Sequence, residues 1–174
     1  MAQKNRLKYI ILGLLIDRPQ TGYDLTKSFD SDIGEFWSAN HSQIYPLLNR
    51  METDNLLQHD QLRVGEKLVK KRYSVTNAGQ QDFFLWLQEP SPLDNSHDEF
   101  LLKLYFVKDQ HSDLLRTMVT EQLILHQEKL DNLNAQLADK FPTNQQRTQS
   151  YGHYQLLRHA ILRERDYVAW LGEI

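Results

Sequence analysis

The stretch HSQIYPLLNRMETDNLLQHDQLRVGEKLVKKRYSV, residues 41–75, decides the fold. Ile44, Leu47, Leu48 and Met51 recur at spacings of three and four, which marks a helix with one buried face. Asn40, with Gln43 three residues on, resembles a capping box for its start, and the helix ends near Asp54. Leu56–Leu62 and Leu68–Val75 then read as two strands joined through Arg63-Val64-Gly65-Glu66-Lys67, a hairpin.

Upstream, a helix from about Asn5 to Ile16 is stopped by Pro19. Thr21 can cap a second helix, with Asp24 adding favourable negative charge in its first turn. That helix runs to about Asp32 and is expected to turn Tyr23, Leu25 and Phe29 inward. Downstream, Thr76 caps a fourth helix over Asn77–Leu87, with Phe83, Phe84, Trp86 and Leu87 for packing. Three helices, a hairpin and one more helix make the order of a winged helix-turn-helix. Pro90 and Pro92 then interrupt helical periodicity and mark a linker over residues 89–96. The expected organisation is mainly α with a small β hairpin, in two domains. Residues 1–90 form the N-terminal winged helix-turn-helix, and residues 97–174 form a C-terminal helical dimerisation domain with a ligand-sensing role.

The absence of cysteine excludes disulfides and thiolate metal sites and suits a reducing cytoplasm. The apolar run Tyr9–Ile16 is too short for a membrane span and lacks a cleavage site, so it reads as a buried first helix. A net charge of −3 is unusual for a DNA binder, so its distribution matters. Residues 1–90 balance 11 basic against 11 acidic side chains, and the basic ones cluster at 4–8 and 63–72. A focused patch can grip phosphate on a neutral domain.

The third helix is the candidate reading head, because an α-helix fits the major groove. Its polar face carries His41, Ser42, Gln43, Tyr45, Asn49 and Arg50. Gln and Asn can pair with adenine and Arg with guanine, while Ser and Tyr more often hold phosphates. Pro46 falls near the first turn, where a missing N–H costs little. A solvated amphipathic face has the same composition. The hairpin shifts the balance: Arg63, Lys67, Lys70, Lys71 and Arg72 lie within ten residues, opposed by Glu66. Lysine on an edge strand also guards against aggregation. Placed directly after a helix-turn-helix pattern, these cations read better as a wing along a duplex.

Several segments carry a family resemblance: residues 11–15 (ILGLL), 19–25 (PQTGYDL), 36–39 (FWSA), 42–48 (SQIYPLL) and 73–79 (YSVTNAG). In this order and spacing they resemble the PadR family of transcriptional regulators across residues 7–88. The resemblance implies a winged-helix domain on a helical dimerisation domain, a homodimer, and repression from an inverted-repeat operator in double-stranded DNA. Carried over by motif, the DNA contacts fall on Ser42, Gln43, Tyr45, Pro46 and the wing cations. Asn55 stands where the family often has glycine; asparagine also tolerates a left-handed backbone, so the helix can still end there. Some members respond to phenolic acids such as hydroxycinnamates, and this chain resembles that kind.

Beyond the linker, residues 97–108 form a short helix, capped by the His97-Asp98-Glu99 segment. A long helix over Ser112–Lys140 carries the seam Leu115, Val119, Leu123, His126, Leu130, Leu133 and Leu137. A last helix over Asn144–Gly172 repeats the pattern with Tyr154, Leu157, Ile161, Val168 and Leu171. So much apolar surface in a small domain calls for a second subunit. His126, Tyr151, His153, Tyr154 and Arg158 are candidates for clamping a small aromatic acid, although packed histidine and interfacial tyrosine account for the same residues more simply. An enzyme is disfavoured: there is no His-Glu-x-x-His, Gly-x-Ser-x-Gly or phosphate-cradling glycine loop. No metal or cofactor is expected. The competing reading is a winged-helix protein-interaction adaptor without sequence-specific DNA binding, against which the basic wing argues.

Overall fold

The computed structural model describes residues 2–31, 33, 37, 41–64, 68–93 and 98–174. They fall into two compact units, Met1–Leu93 and Asp94–Ile174.

The first unit runs α1 (Ala2–Asp17), β1 (Gln20–Thr21), α2 (Gly22–Ser31), α3 (His41–Thr53), β2 (Leu57–Val64), β3 (Leu68–Val75) and α4 (Asn77–Gln88). Leu7, Ile11, Leu12 and Leu15 of α1 share one helical face and meet Leu25 and Phe29 of α2 in the core. Ile44, Leu48 and Met51 of α3 join them with Leu57 and Tyr73 of the hairpin. Thr21 caps α2: its Oγ1 accepts from the Asp24 amide at 3.2 Å, while the Asp24 carboxylate accepts from the Thr21 amide at 3.1 Å.

Several features of this unit depart from expectation: of the α4 residues assigned to packing, Phe84 and Leu87 are 51% and 54% exposed. The sheet has three strands in the order β1-β3-β2, because Gln20 and Thr21 pair with Tyr73 and Arg72. Tyr23 is not inward but 61% exposed. At about 100° per helical residue it stands about 200° from Leu25, so a helix that buries Leu25 turns Tyr23 out. Its ring lies beneath Lys70 Nζ, 5.0 Å from the centroid.

The second unit comprises α5 (Glu99–Tyr105), α6 (Asp113–Lys140), α7 (Asn144–Gln149) and α8 (Tyr151–Leu171). Asp98 caps α5, its Oδ1 accepting from the Phe100 and Leu101 amides at 2.9 and 3.2 Å. His97 lies outside the described residues. The single last helix expected from periodicity is broken at Ser150, whose φ of −117° and ψ of 47° separate α7 from α8. Serine and the nearby Gly152 are weak helix formers, so the break falls where propensity is low.

The apolar seam of α6 is covered in large part within the chain. Leu115, Leu130 and Leu133 are buried, and α6 packs along α8, which buries Leu157, Ile161 and Leu171. The seam closes within the chain because α8 returns antiparallel to α6. What stays exposed is a different face: Leu101, Leu102, Tyr105 and Phe106 with Leu114, Ile124 and Leu125. No helix among the described residues is long and apolar enough to cross a membrane.

Candidate nucleic-acid interface

Helix α3 is held by its apolar side and open on the other. Ile44, Leu48 and Met51 are at most 1% exposed, which leaves Ser42, Gln43, Asn49 and Arg50 facing solvent. Tyr45 is half exposed and leans on the start of α2, where a Cβ on Gly22 would lie 2.7 Å from its ring. Pro46 is the sixth residue of α3, deeper than the first turn expected for it. Its missing N–H therefore removes a ladder bond and leaves the Ser42 carbonyl without its usual donor. The helix ends on Asn55 at φ 58°, with the Leu56 amide donating to the Met51 carbonyl at 2.9 Å. This left-handed Schellman stop turns the chain directly into β2. The His41 side chain, the Asn40 cap, Lys67 and the turn at 65–67 lie outside the described residues.

The hairpin register places Asp60 opposite Arg72, Gln61 opposite Lys71, Leu62 opposite Lys70 and Arg63 opposite Val69. The wing is less purely basic than its sequence implies, since Glu66 is not its one opposing charge. Arg72 forks onto Asp60, with Nε to Oδ1 at 3.0 Å and Nη2 to Oδ2 at 2.5 Å. Lys71 Nζ reaches Glu52 Oε2 of α3 at 3.4 Å, and His59 Nδ1 takes the other oxygen of that carboxylate. The His59 bond, backed by Lys71, holds the Glu52 carboxyl below the usual carboxylate range. Sequence reading missed Glu52, Asp60 and His59 because each is remote from its partner along the chain. A two-residue alternation matched across the hairpin would have paired Asp60 with Arg72.

The five ligand candidates of the C-terminal unit do not converge within one chain. His126 Nδ1 lies 2.5 Å from Glu164 Oε2, and its ring stacks on Tyr167 at 4.1 Å. Lys129 holds the other Glu164 oxygen at 2.6 Å. The Tyr167 hydroxyl donates to Asp98 Oδ2 at 2.7 Å, so α5, α6 and α8 are tied through one polar chain. Burial and that bond push the Tyr167 phenol well up, while Lys129 and His126 hold the buried Glu164 carboxyl down despite its desolvation. About ten residues away along α8, or about 15 Å, the Arg147 and Arg158 guanidinium groups each lie 5.7 Å from the Tyr154 ring centroid. Phe141 meets Tyr154 and His153 edge-on at 5.7 and 5.2 Å, and Tyr151 is exposed. A separate cavity of about 630 Å³ opens beside α5 and the start of α6, walled by Phe106, Val107, Leu114 and Met118 with Lys103 and Lys108. No cluster of His, Asp and Glu suited to a metal ion occurs among the described residues.

A helix-turn-helix with an exposed polar reading helix and a basic hairpin defines the winged-helix transcriptional regulators. Residues 11–84 match the transcriptional regulator PadR-like family, and residues 97–174 match the family described as virulence activator alpha C-term. The chain is 38% identical over 176 residues to the negative transcriptional regulator PadR of Bacillus subtilis, covering 97% of this chain and 94% of that one. The crystal structure of B. subtilis PadR with operator DNA superposes with a TM-score of 0.85 at 35% identity, over 96% of this chain and 94% of that one. The crystal structure with p-coumaric acid gives 0.80 at 35% identity, over 96% and 95%. The chain belongs to the PadR family of transcriptional regulators, whose function is not enzymatic.

Proposed function

We propose that the chain is a homodimeric cytoplasmic repressor that occupies an inverted-repeat operator through α3 and the wing and is released by a phenolic acid. The observation that carries this reading is the exposed Ser42, Gln43, Asn49 and Arg50 face of α3 beside the cationic β3, in a chain so similar to a protein crystallised on operator DNA. In this role Gln43, Asn49 and Arg50 read base edges. Ser42, Tyr45, the Pro46 turn and His41 set the helix on the backbone, and Arg63, Lys67, Lys70, Lys71 and Arg72 supply phosphate contacts.

The exposed face of Leu101, Leu102, Tyr105, Phe106 and Leu114 supports a second copy of the chain, which would present two reading heads to half-sites related by a two-fold axis. For the effector, the Arg147–Tyr154–Arg158 stack offers cations for a carboxylate beside aromatic walls, with Tyr151 and His153 adjoining and His126 further along the bundle. Effector and operator must weaken each other reciprocally, because the effector acts only by binding the non-operator geometry more tightly.

The test is a fluorescence-anisotropy titration of the purified protein on its retained genomic fragments and on random duplex. Gln43→Ala is expected to cost about 1–3 kcal/mol on operator and little on random DNA; an equal loss on both demotes it to a phosphate contact. Titrating p-coumarate should release the operator, and Arg158→Ala should blunt that release. A monomer by sedimentation, or no retardation of any duplex at low ionic strength, leaves the adaptor reading in its place.

A further inference from the structure

Every described cation of the returning strand β3 already has a partner inside the first unit. Arg72 is forked onto Asp60, Lys71 is drawn to Glu52, and Lys70 sits over the Tyr23 ring. These are the groups that a duplex would need. A protein cation displaces a condensed counterion from the duplex only where it reaches a phosphate, so a cation held by its own carboxylate adds no such contact until it is freed.

We propose that Asp60 and Glu52 set the strength of duplex binding, holding Arg72 and Lys71 on the protein's own carboxylates until DNA phosphate displaces them. The inference rests on the DNA-binding reading above and names what regulates that site. Its geometry is specific. Asp60 stands directly across the ladder from Arg72, so the fork forms without distorting either strand. Both side chains remain about half exposed, at 42% for Arg72 and 56% for Asp60, which keeps the guanidinium within reach of an incoming anion. An ion pair this open to water is weak enough to exchange. Phosphate presents the same forked acceptor geometry to arginine as carboxylate does.

Glu52 adds a positional element, because it belongs to the reading helix. By taking His59 of β2 and Lys71 of β3 on its two oxygens it fastens both wing strands to α3. Freeing Lys71 therefore loosens one of the ties that set the wing angle, whereas freeing Arg72 does not.

The experiment measures binding to random duplex as a function of salt for wild type, Asp60→Asn, Arg72→Gln and the double variant, with Asp54→Asn as an equal change of charge at an exposed site. Asp60→Asn is expected to tighten binding about fivefold while leaving the slope of log K against log salt unchanged, because Arg72 reaches its phosphate in both complexes; Arg72→Gln should flatten that slope by about 0.9, one phosphate contact. In the Arg72→Gln background the Asp60 change should no longer tighten binding. Equal tightening with and without Arg72, or with Asp54→Asn, would mean that only the overall field matters and overturns the proposal. A Glu52→Gln and Lys71→Gln cycle gives the second arm, with the Glu52→Gln gain expected to vanish without Lys71. If wild type binds duplex and Asp60→Asn is indistinguishable from it, the exchange is refuted while the DNA-binding reading stands. If wild type binds no duplex at low ionic strength, both fall together.

Discussion

Replacing Gly79 with alanine separates two opposed effects of one methyl group. Helix propensity alone favours the change by at most about 1 kcal/mol, the cost of glycine in a helix interior, since Gly79 lies in the first turn of α4. Sterics oppose it. A Cβ on Gly79 would lie 2.2 Å from the Leu56 carbonyl oxygen and 2.8 Å from Val75 Cγ2. Ordinary contacts of this kind sit near about 3.5 Å, so α4 or the Leu56 carbonyl must retreat by about an ångström. That carbonyl accepts from the Thr76 amide and from Thr76 Oγ1, both at 3.1 Å, and Thr76 is also the cap of α4. Overpacking costs about 1–3 kcal/mol, and loosening the two bonds adds about 1 kcal/mol or more. After the propensity gain is subtracted, Gly79→Ala should destabilise the first unit by about 2 kcal/mol. Gly152→Ala is the control, because its Cβ meets nothing within 4 Å. It should stabilise by about 0.5 kcal/mol. Urea unfolding is the assay. Trp86, stacked on Tyr9 at 4.5 Å, supplies a fluorescence signal from the first unit, and Trp170, edge-on to Tyr167 at 5.3 Å, one from the second unit for the control. With a slope of about 1–2 kcal/mol per molar, the Gly79→Ala midpoint should fall by about 1–2 M. A midpoint at or above that of wild type would refute the argument that close approach outweighs propensity here.

Glu164→Gln removes a buried carboxylate shared by His126 and Lys129 and should cost about 1–3 kcal/mol at neutral pH, read by thermal unfolding. Because the Glu164 carboxyl is held below its ordinary value of 4.5, its contribution is complete above that pH and is lost as pH falls through the depressed value. The difference between variant and wild type should therefore shrink in acid; a constant gap contradicts the pairing. Burial pushes up the Tyr73 phenol, and burial with Asp98 pushes up that of Tyr167 further, so both should ionise late in an alkaline ultraviolet titration and the later of the two should disappear in Tyr167→Phe. The stabilisation from Tyr167 is present below the ordinary value of 10.0 and fades as pH rises towards the raised one. Asn55→Gly should be neutral or stabilising by a few tenths of a kcal/mol, about the strain asparagine bears at φ 58°, whereas Asn55→Ala should destabilise by about 1 kcal/mol in the same denaturation assay.

The helices of the first unit were legible because each carries its own local signal: apolar spacing on α1 and α3, Thr21 before α2 and Thr76 before α4. Strand β1 was not, since two residues carry no alternation. The outward Tyr23 was missed because an aromatic residue near a helix start was assigned inward on its type, not its angle. In the C-terminal unit, periodicity located both long helices but could not say what covers them. The same leucines serve a partner within the chain or in another copy, and the return of α8 along α6 decides it. The polar side of the site was least legible. His126 stood out as an odd residue in a leucine seam, yet its partners Glu164 and Tyr167 lie 38 and 41 positions away and have meaning only once the two helices are antiparallel.

The sheet order β1-β3-β2 puts the returning wing strand in the middle, bonded to β2 on one side and to β1, at the entrance of α2, on the other. Tension applied to α2 is thus passed through main-chain bonds to the root of the hairpin with no slack joint between them. Amide exchange should report this as slow protons along β3 at Arg72 and Tyr73, opening together with that of Gln20, as in a single lever.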